Sequence, residues 1–307
     1  MPALVSIIIP VFNEEGNIRL IISKIAEAIA PTGYAFEIIF IDDGSTDNTL
    51  PDIKVAALHT NNLFFISFSR NFGHQNALKA GMDMSRGDCV ISMDGDLQHP
   101  PSMIPQMIKK WEEGADIVYS IRNEDKELSL LKRKSSSFFY RLLNRLSDIE
   151  LESGTADFRL VDKRVAQLMR NFTEADLFWR GLVKWLGFQQ VGIPYHAAER
   201  QAGQSKYTVK KMLQFALKGI TSFSTKPLTV AIYLGFSFSL LSLLYIPYVL
   251  LSQYFGLAVS GWASIIVTIV FFGGLQLMIL GIIGTYLGKL FMQSKNRPHY
   301  IVKEKNF

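Results

Sequence analysis

The residues of this chain best equipped for chemistry are Asp94-Gly95-Asp96 and the Leu97-Gln98-His99 that follows. An apolar run over 89–93 breaks into them, so two carboxylates and an amide stand where a buried strand ends. In an open α/β sheet, ligands bind at that place. Alternate acidic residues leaving a strand turn oxygens toward one point. Hard divalent cations such as Mg²⁺ or Mn²⁺ take oxygen ligands and keep positions for a substrate's phosphates. We read Asp96 and Gln98 as metal ligands and Asp94 as a contact to the metal or to the substrate beside it. Asp-Gly is also a common turn pair, so the motif decides nothing alone.

Residues 5–11 form a continuous β-branched run, the pattern of a buried parallel strand. After a turn at 13–16, Ile18, Ile21, Ile22, Ile25 and Ile29 recur at helical spacing over 18–30. Further strands are expected over 37–41, 63–68, 89–93 and 115–120, with helices over 74–84 and 104–113. Strands alternating with helices imply right-handed crossovers and an α/β, doubly wound, mostly parallel sheet. Asn13-Glu14, Asp42-Asp43, Arg70-Asn71 and the acidic motif each follow the carboxyl end of a strand. Four such loops on one edge describe a ligand cleft. Neither G-x-G-x-x-G nor G-x-x-x-x-G-K-[ST] occurs, which weakens dinucleotide and P-loop readings. Residues 123–135 read as a charged loop over the cleft, 155–160 bring in Asp157, 168–187 read as helix and 190–194 as a late strand.

The chain has 307 residues, 49% of them hydrophobic, and from Pro227 to Gly288 it carries no Asp, Glu, Lys, Arg or His. That stretch far exceeds the ~20 apolar residues that cross a bilayer once. Two spans are expected, near 228–253 and 262–292, with a turn free of basic residues. Lys206, Lys210, Lys211, Lys218 and Lys226 precede the pair; Lys289, Lys295, Arg297, Lys303 and Lys305 follow it. The positive-inside rule then puts both ends in the cytoplasm. Residues 209–223 set lysines opposite apolar side chains, as an interfacial amphipathic helix does. The expected organisation is a catalytic domain at 1–205, a juxtamembrane helix at 206–226, a two-helix hairpin at 227–292 and a basic tail at 293–307. Glycines 273, 274, 281, 284 and 288 favour close helix packing, within the chain or between subunits of a homo-oligomer such as a tetramer. The net charge of +5 suits anionic lipid headgroups and phosphates, and no nucleic-acid recognition motif is present. The one cysteine, Cys89, reads as a small buried hydrophobe and permits no intrachain disulfide. The first residues lack the basic start of a signal peptide, so the soluble part is expected to stay in the cytoplasm.

PVFNEEGN at 10–17, DDGSTD at 42–47, R-N-x-G at 70–73, MDGDLQHPP at 93–101 and GQSKY at 203–207 are together similar to the inverting family 2 glycosyltransferases that load a sugar onto a polyprenyl phosphate. The likeness spans about residues 4–226, with the motifs in the family's order. The two apolar stretches resemble the bactoprenol (undecaprenyl phosphate) glucosyltransferases of bacterial membranes more than the dolichol phosphate mannose synthases. The resemblance implies a GT-A fold, Mg²⁺ or Mn²⁺, and transfer of glucose from UDP-glucose to undecaprenyl phosphate at the bacterial inner membrane. It also implies roles. Pro10, Phe12, Glu14 and Ile41 would border the nucleotide, and Asp43 would accept a hydrogen bond from its base. Asp94 and Asp157 would be catalytic, Asp94 by the donor phosphate and sugar, while Asp96 and Gln98 hold the metal. Arg122, Arg133, Ser137, Arg200 and Lys206 would clamp phosphates, chiefly the acceptor's. Asp157 departs from the mannose synthase pattern and matches the bactoprenol enzymes. Another sugar nucleotide, GDP-mannose or a UDP-aminosugar, stays open, as does an inactive membrane scaffold. A processive polysaccharide synthase is disfavoured by the missing Q-x-x-R-W motif.

Overall fold

The structure is a computed structural model and describes residues 3–122, 154–195, 219–255 and 261–307. Among these, 3–122, 154–195 and 297–307 make one compact unit, and 219–255 with 261–296 a second.

The first unit is built on β1 (Leu4–Val11), whose Ile7, Ile8 and Ile9 have no exposed surface. Strands β2 (Ala35–Asp42), β3 (Leu63–Phe68) and β4 (Cys89–Ser92) run parallel to it, β2 and β4 on its two sides and β3 beyond β2. A parallel strand is buried on both faces because the crossover helices cover both. Helix α1 (Ile18–Ile29) turns Ile18, Ile21, Ile25 and Ile29 into the core, each worth about 1.5–3 kcal/mol of burial. Helices α2 (Thr49–His59) and α3 (His74–Met84) complete the next crossovers. Helix α3 comes so close to the sheet that a side chain on Gly81 would stand 2.8 Å from Ile8.

The sheet continues with β5 (Ile117–Arg122), β6 (Thr155–Asp162), β7 (Gln190–Tyr195) and β8 (Val302–Lys305), in the order β7-β5-β6-β4-β1-β2-β3-β8. It is mostly parallel, as expected, but β6 lies antiparallel between β4 and β5, and β8 antiparallel on β3. Helix α4 (Ile104–Glu112) precedes β5. The single helix expected over 168–187 is two, α5 (Lys163–Arg170) and α6 (Trp179–Trp185). The break has a local cause. Trp179 donates its N–H to Gln75 Oε1 at 3.0 Å and its indole N–H to the Gln75 carbonyl at 2.8 Å, so a new helix starts against α3. Residues 293–307, expected to be only a basic tail, supply β8. Asn306 fastens it, accepting from Phe65 N–H at 2.8 Å and donating to the Leu63 carbonyl at 3.2 Å.

In the second unit, α7 (Lys226–Tyr254) and α8 (Trp262–Ser294) pack through Phe238, which meets Phe271 and Phe272 edge-on at 5.9 and 5.4 Å. Among the described residues one stretch, Ile265–Ser294, is long and apolar enough to cross a membrane, and Lys226–Leu241 forms a shorter apolar segment. The expected amphipathic helix lies outside the described residues except for 219–223, which are helical.

Gly44 makes the loop contacts of the first unit testable. Its φ is +73°, and a side chain there would meet the Arg70 backbone at 2.6 Å. Gly44→Ala should therefore cost about 1–3 kcal/mol or more, read as a lower unfolding midpoint of the purified protein. An unchanged midpoint would refute the close approach of the two loops.

Candidate active site

Because β4, β1, β2 and β3 are parallel, their carboxyl ends lie at one edge, and the loops at 12–17, 43–48, 69–73 and 93–100 lie side by side there. Polar groups tie these loops together. Asn13, at φ 56°, accepts from Thr46 N–H (2.9 Å) and donates its own N–H to Ser45 Oγ (3.0 Å). Glu14 donates its N–H to Thr49 Oγ1 at 2.8 Å. Asp43 donates its N–H to the Val11 carbonyl, and its carboxylate accepts from Phe72 N–H (2.6 Å) and Gly73 N–H (2.9 Å). Burial pushes the Asp43 carboxyl up, and those two hydrogen bonds oppose it. One buried carboxylate thus anchors the third loop to the second.

The acidic motif is shaped by two backbone constraints. A side chain on Gly95 would stand 2.7 Å from Val11, so only glycine lets the motif lie this close to β1. Leu97 sits in the left-handed region at φ 60°, which curls Gln98 back on Asp96. Gln98 N–H and side-chain N–H both donate to the Asp96 carboxylate, at 3.1 and 2.6 Å. Asp94 donates its N–H to His99 Nδ1 at 3.2 Å, so that nitrogen carries no proton. Its 3.6 Å approach to Asp94 Oδ2 is therefore not an ion pair.

Asp157 comes to the cleft through strand register. Cys89 pairs with Asp162 and Ser92 with Arg159, and the same register carried past the end of β4 sets Asp157 beside Asp94. The Asp157 carboxylate is gripped by Arg180, whose Nε and Nη2 each donate at 3.0 Å, with Arg159 Nη2 at 3.4 Å. Burial alone would raise this carboxyl, but the guanidiniums of Arg180 and Arg159 outweigh it and hold the group well below the usual carboxylate range. His74 Nε2 lies between the two aspartates, 3.5 Å from Asp94 and 3.8 Å from Asp157.

The resulting cleft, of about 440 Å³, is bordered by Pro10, Phe12, Glu14, Asp43, Asp94, Asp96 and Asp157, all expected from sequence. His74 and Arg180 border it too and were not legible as site residues: the first opens a helix, and the second lay in a stretch read simply as helical. Ile41 is fully buried and packs beside Gly81 rather than facing the cleft. Arg122 is exposed at the end of β5. Burial raises the nearby Tyr195 phenol, Arg122 and Arg180 draw it down, and Asp94 and Asp96 push it up, so these charges share one neighbourhood. Arg133, Ser137, Arg200 and Lys206 lie outside the described residues.

The donor set suits a hard divalent cation. Burial pushes the Glu14 carboxyl up, the Asn17 amide opposes this, and the negative charges of Asp96, Asp47 and Asp94 add to the rise. That crowding of carboxylates is relieved by a cation. No ready group of three His, Cys, Asp or Glu ligands occurs among the described residues. One or two carboxylates would suit Mg²⁺ where phosphates complete its shell. Gln98, whose amide now donates to Asp96, would turn to offer its carbonyl oxygen.

Comparison with known proteins bears on this cleft. The sequence profile of glycosyl transferase family 2 matches residues 6–168. The chain is 41% identical to the bactoprenol glucosyl transferase of Shigella phage SfV, over 97% of this chain and 98% of that one. It is 41% identical to the glycosyltransferase YkcC of Bacillus subtilis, over 97% of this chain and 93% of the relative. The prophage bactoprenol glucosyl transferase homolog of Escherichia coli K12 is 39% identical, over 97% and 98%. A mannosyltransferase from Pyrobaculum calidifontis, solved with GDP-Man and Mn²⁺, shares the fold at a TM-score of 0.51 and 13% identity, over 96% of this chain and 86% of that one.

Asp157→Asn would leave Arg159, only 4% exposed, without its anion, and should cost about 3–5 kcal/mol in denaturant unfolding. The folded carboxyl sits below its unfolded value of about 3.9, so the stabilisation is complete above that pH and is lost as pH falls through the folded value. Between pH 7 and 3, wild-type midpoints should therefore fall more steeply in the acid limb than those of Asp157→Asn. Parallel curves would refute the ion pairing.

Proposed function

The chain belongs to glycosyl transferase family 2, and on that premise we propose that it transfers glucose from UDP-glucose to undecaprenyl phosphate, with inversion at the anomeric carbon. The observation that carries this reading is the juxtaposition of Asp94, Asp96 and Asp157 on one cleft in a chain matching bactoprenol glucosyl transferases over nearly its whole length.

An acceptor phosphate has a second pKa of about 6 and is already largely anionic at neutral pH, so it attacks without a strong base. Asp157 suits that requirement. Its two arginines keep it ionised and make it a weak proton acceptor, so its work is to orient neighbours rather than to take a proton. Asp94, held by the Val11-facing turn and the His99 contact, would hold a hydroxyl of the donor sugar. Phe12, 44% exposed and bordering the cleft, would offer its ring to the nucleotide. A divalent cation held by Asp96 and Gln98 would supply charge neutralisation of the departing diphosphate. The remaining catalysis is in-line placement within a fixed site.

The same proposal places α7 and α8 as a two-span hairpin in the bacterial inner membrane, with the catalytic unit and both flanks in the cytoplasm. Chain topology supports it. β7 and β8 belong to one sheet, so whatever lies between them crosses a membrane an even number of times. If Ile265–Ser294 spans, a second crossing lies between β7 and β8, and α7 is the apolar helix among the described residues that would supply it. Lysines flank the pair on both sides and the turn carries none, which fits the positive-inside rule. A polyprenyl chain stays in lipid and offers only its phosphate at the surface, so an enzyme acting on it has to be held there.

The test is direct. Detergent-purified protein, undecaprenyl phosphate, Mg²⁺ or Mn²⁺ and radiolabelled UDP-glucose should carry label into the organic phase, and EDTA should abolish it. Asp96→Ala should reduce turnover to background and remove metal-dependent UDP binding. Label from GDP-mannose or a UDP-aminosugar in place of UDP-glucose would overturn the choice of donor. No label from any of them would overturn the reaction.

A further inference from the structure

Two groups of the cleft face each other without bonding. His74 Nε2 stands 3.5 Å from Asp94 Oδ1, and neither side chain makes a hydrogen bond among the described residues. That separation is past the roughly 2.7–3.2 Å of an ordinary N–H···O bond. The nitrogen faces Asp157 Oδ2 as well, at 3.8 Å. A lone pair aimed at two carboxylates would be repelled by both, so Nε2 carries the hydrogen. A donor and an acceptor, 39% and 36% exposed, therefore stand side by side on the cleft. Asp157 is a poor third member, because its side chain is 10% exposed and its oxygens already accept from Arg180 and Arg159.

The backbone brings the imidazole to this place from both directions. On one side Gly73, at φ 96°, donates its N–H to Asp43 at 2.9 Å. On the other, Gln75 accepts from the N–H of Trp179 at 3.0 Å and from its indole N–H at 2.8 Å. Asn76 ties down the same turn by donating its amide to the Phe72 carbonyl at 2.7 Å. A group whose backbone is preset in this way loses little freedom when a ligand arrives.

The ligand chemistry follows from the pair. Carboxylates at 3.5 and 3.8 Å repel a phosphate from this nitrogen. An apolar group would strip water from donor and acceptor and return no hydrogen bond. A hydroxyl is neutral and both donates and accepts, so it satisfies the two together, accepting from Nε2–H and donating to Oδ1. A ring with hydroxyls on adjacent carbons can also give one to each. We infer that His74 binds a hydroxyl of the hexose carried by the donor nucleotide, as the hydrogen-bond donor beside Asp94. The inference deepens the proposed glycosyl transfer and rests on it for the identity of the ligand. It makes residue 74 a determinant of which sugar is accepted, because the pair reads where a hydroxyl lies.

The experiment measures equilibrium binding to the detergent-purified full chain, with Mn²⁺, of UDP-glucose, of UDP, and of UDP-glucose analogues that each lack one sugar hydroxyl. Wild type is compared with His74→Ala and with His74→Gln, whose amide keeps an N–H donor. The expected result in His74→Ala is UDP-glucose bound about fivefold or more weakly, UDP within about twofold of wild type, and partial recovery in His74→Gln. One deoxy analogue should bind wild type and His74→Ala alike, and it identifies the hydroxyl. An equal loss of UDP and UDP-glucose would overturn the inference, because His74 would then only steady the carboxylates around it. So would UDP-glucose binding unchanged in His74→Ala, or a loss that persists with every analogue. If wild type binds GDP-mannose in place of UDP-glucose, the choice of donor fails and GDP-mannose against GDP gives the same comparison; binding of neither overturns both. Wild type that shows the expected pattern yet carries no label to undecaprenyl phosphate would sink the reaction and leave the His74 assignment standing.

Discussion

The cleft depends on the register in which β6 runs against β4. A purely parallel sheet would end at this edge in loops alone, with acidic and amide groups facing solvent. The antiparallel insertion returns a strand to the same edge from the opposite direction and brings Asp157 level with Asp94. Ser92 secures the meeting, donating its hydroxyl to the Asp157 carbonyl at 2.7 Å. A shift of one residue would turn Asp157 to the other face of the sheet and leave Ala156 or Phe158 level with Asp94. Site geometry therefore follows from strand pairing, and strand pairing from the buried Phe158, Leu160 and Val161 that fix the register.

That register sets two carboxylates side by side and then treats them differently. Asp157 is nearly enclosed and has two guanidiniums; Asp94 is about a third exposed and has a histidine on either side. Burying an arginine beside an aspartate is costly in desolvation and rarely adds net stability over an apolar pair. Its benefit lies in fixed orientation within a site that must receive charged ligands. The other carboxylates of the cleft are organised on another principle. Asp43 and Asn13 spend their polar groups on neighbouring loops, so they hold the walls, while Glu14, Asp94 and Asp96 crowd their charges together. Asp157 is neutralised within the protein, whereas Glu14, Asp94 and Asp96 form a cluster that a cation would neutralise.

The strands legible in the sequence are those with an unambiguous period. β1 to β4 are apolar runs closed by acidic or amide turns, and α1 shows isoleucines at helical spacing. From these the parallel half of the sheet and most of the cleft residues follow. β6 reads TADFRLVD, and its Asp157 and Arg159 contradict the pattern of a central strand because they neutralise each other in three dimensions. β8 reads VKEK and looks like a solvated tail; as an edge strand it alternates half-buried and exposed positions, and its charges suit that place. Helix α2 was missed because few of its residues face the core, chiefly Thr49 and Ile53. His74 and Arg180 could not be found from one sequence, since nothing local links residue 74 to residue 180 until Gln75 and Trp179 are seen to bond.

β8 has a consequence for how such a chain is assembled. Its partners on β3 are separated from it by most of the sequence; Asn306 reaches Phe65 across 241 residues. Tyr300 stacks on Phe68 at 5.0 Å and donates to Asp83, which also holds the buried Lys79 of α3. These contacts close the sheet edge beside the helix that carries His74 into the cleft. Contacts of such separation form late, after the loop between them has been closed. Everything between β7 and β8, including α7 and α8, is in that loop. Until that loop closes, the outer edge of β3 has no β8 to pair with, so the first unit's sheet is completed by the far end of the sequence.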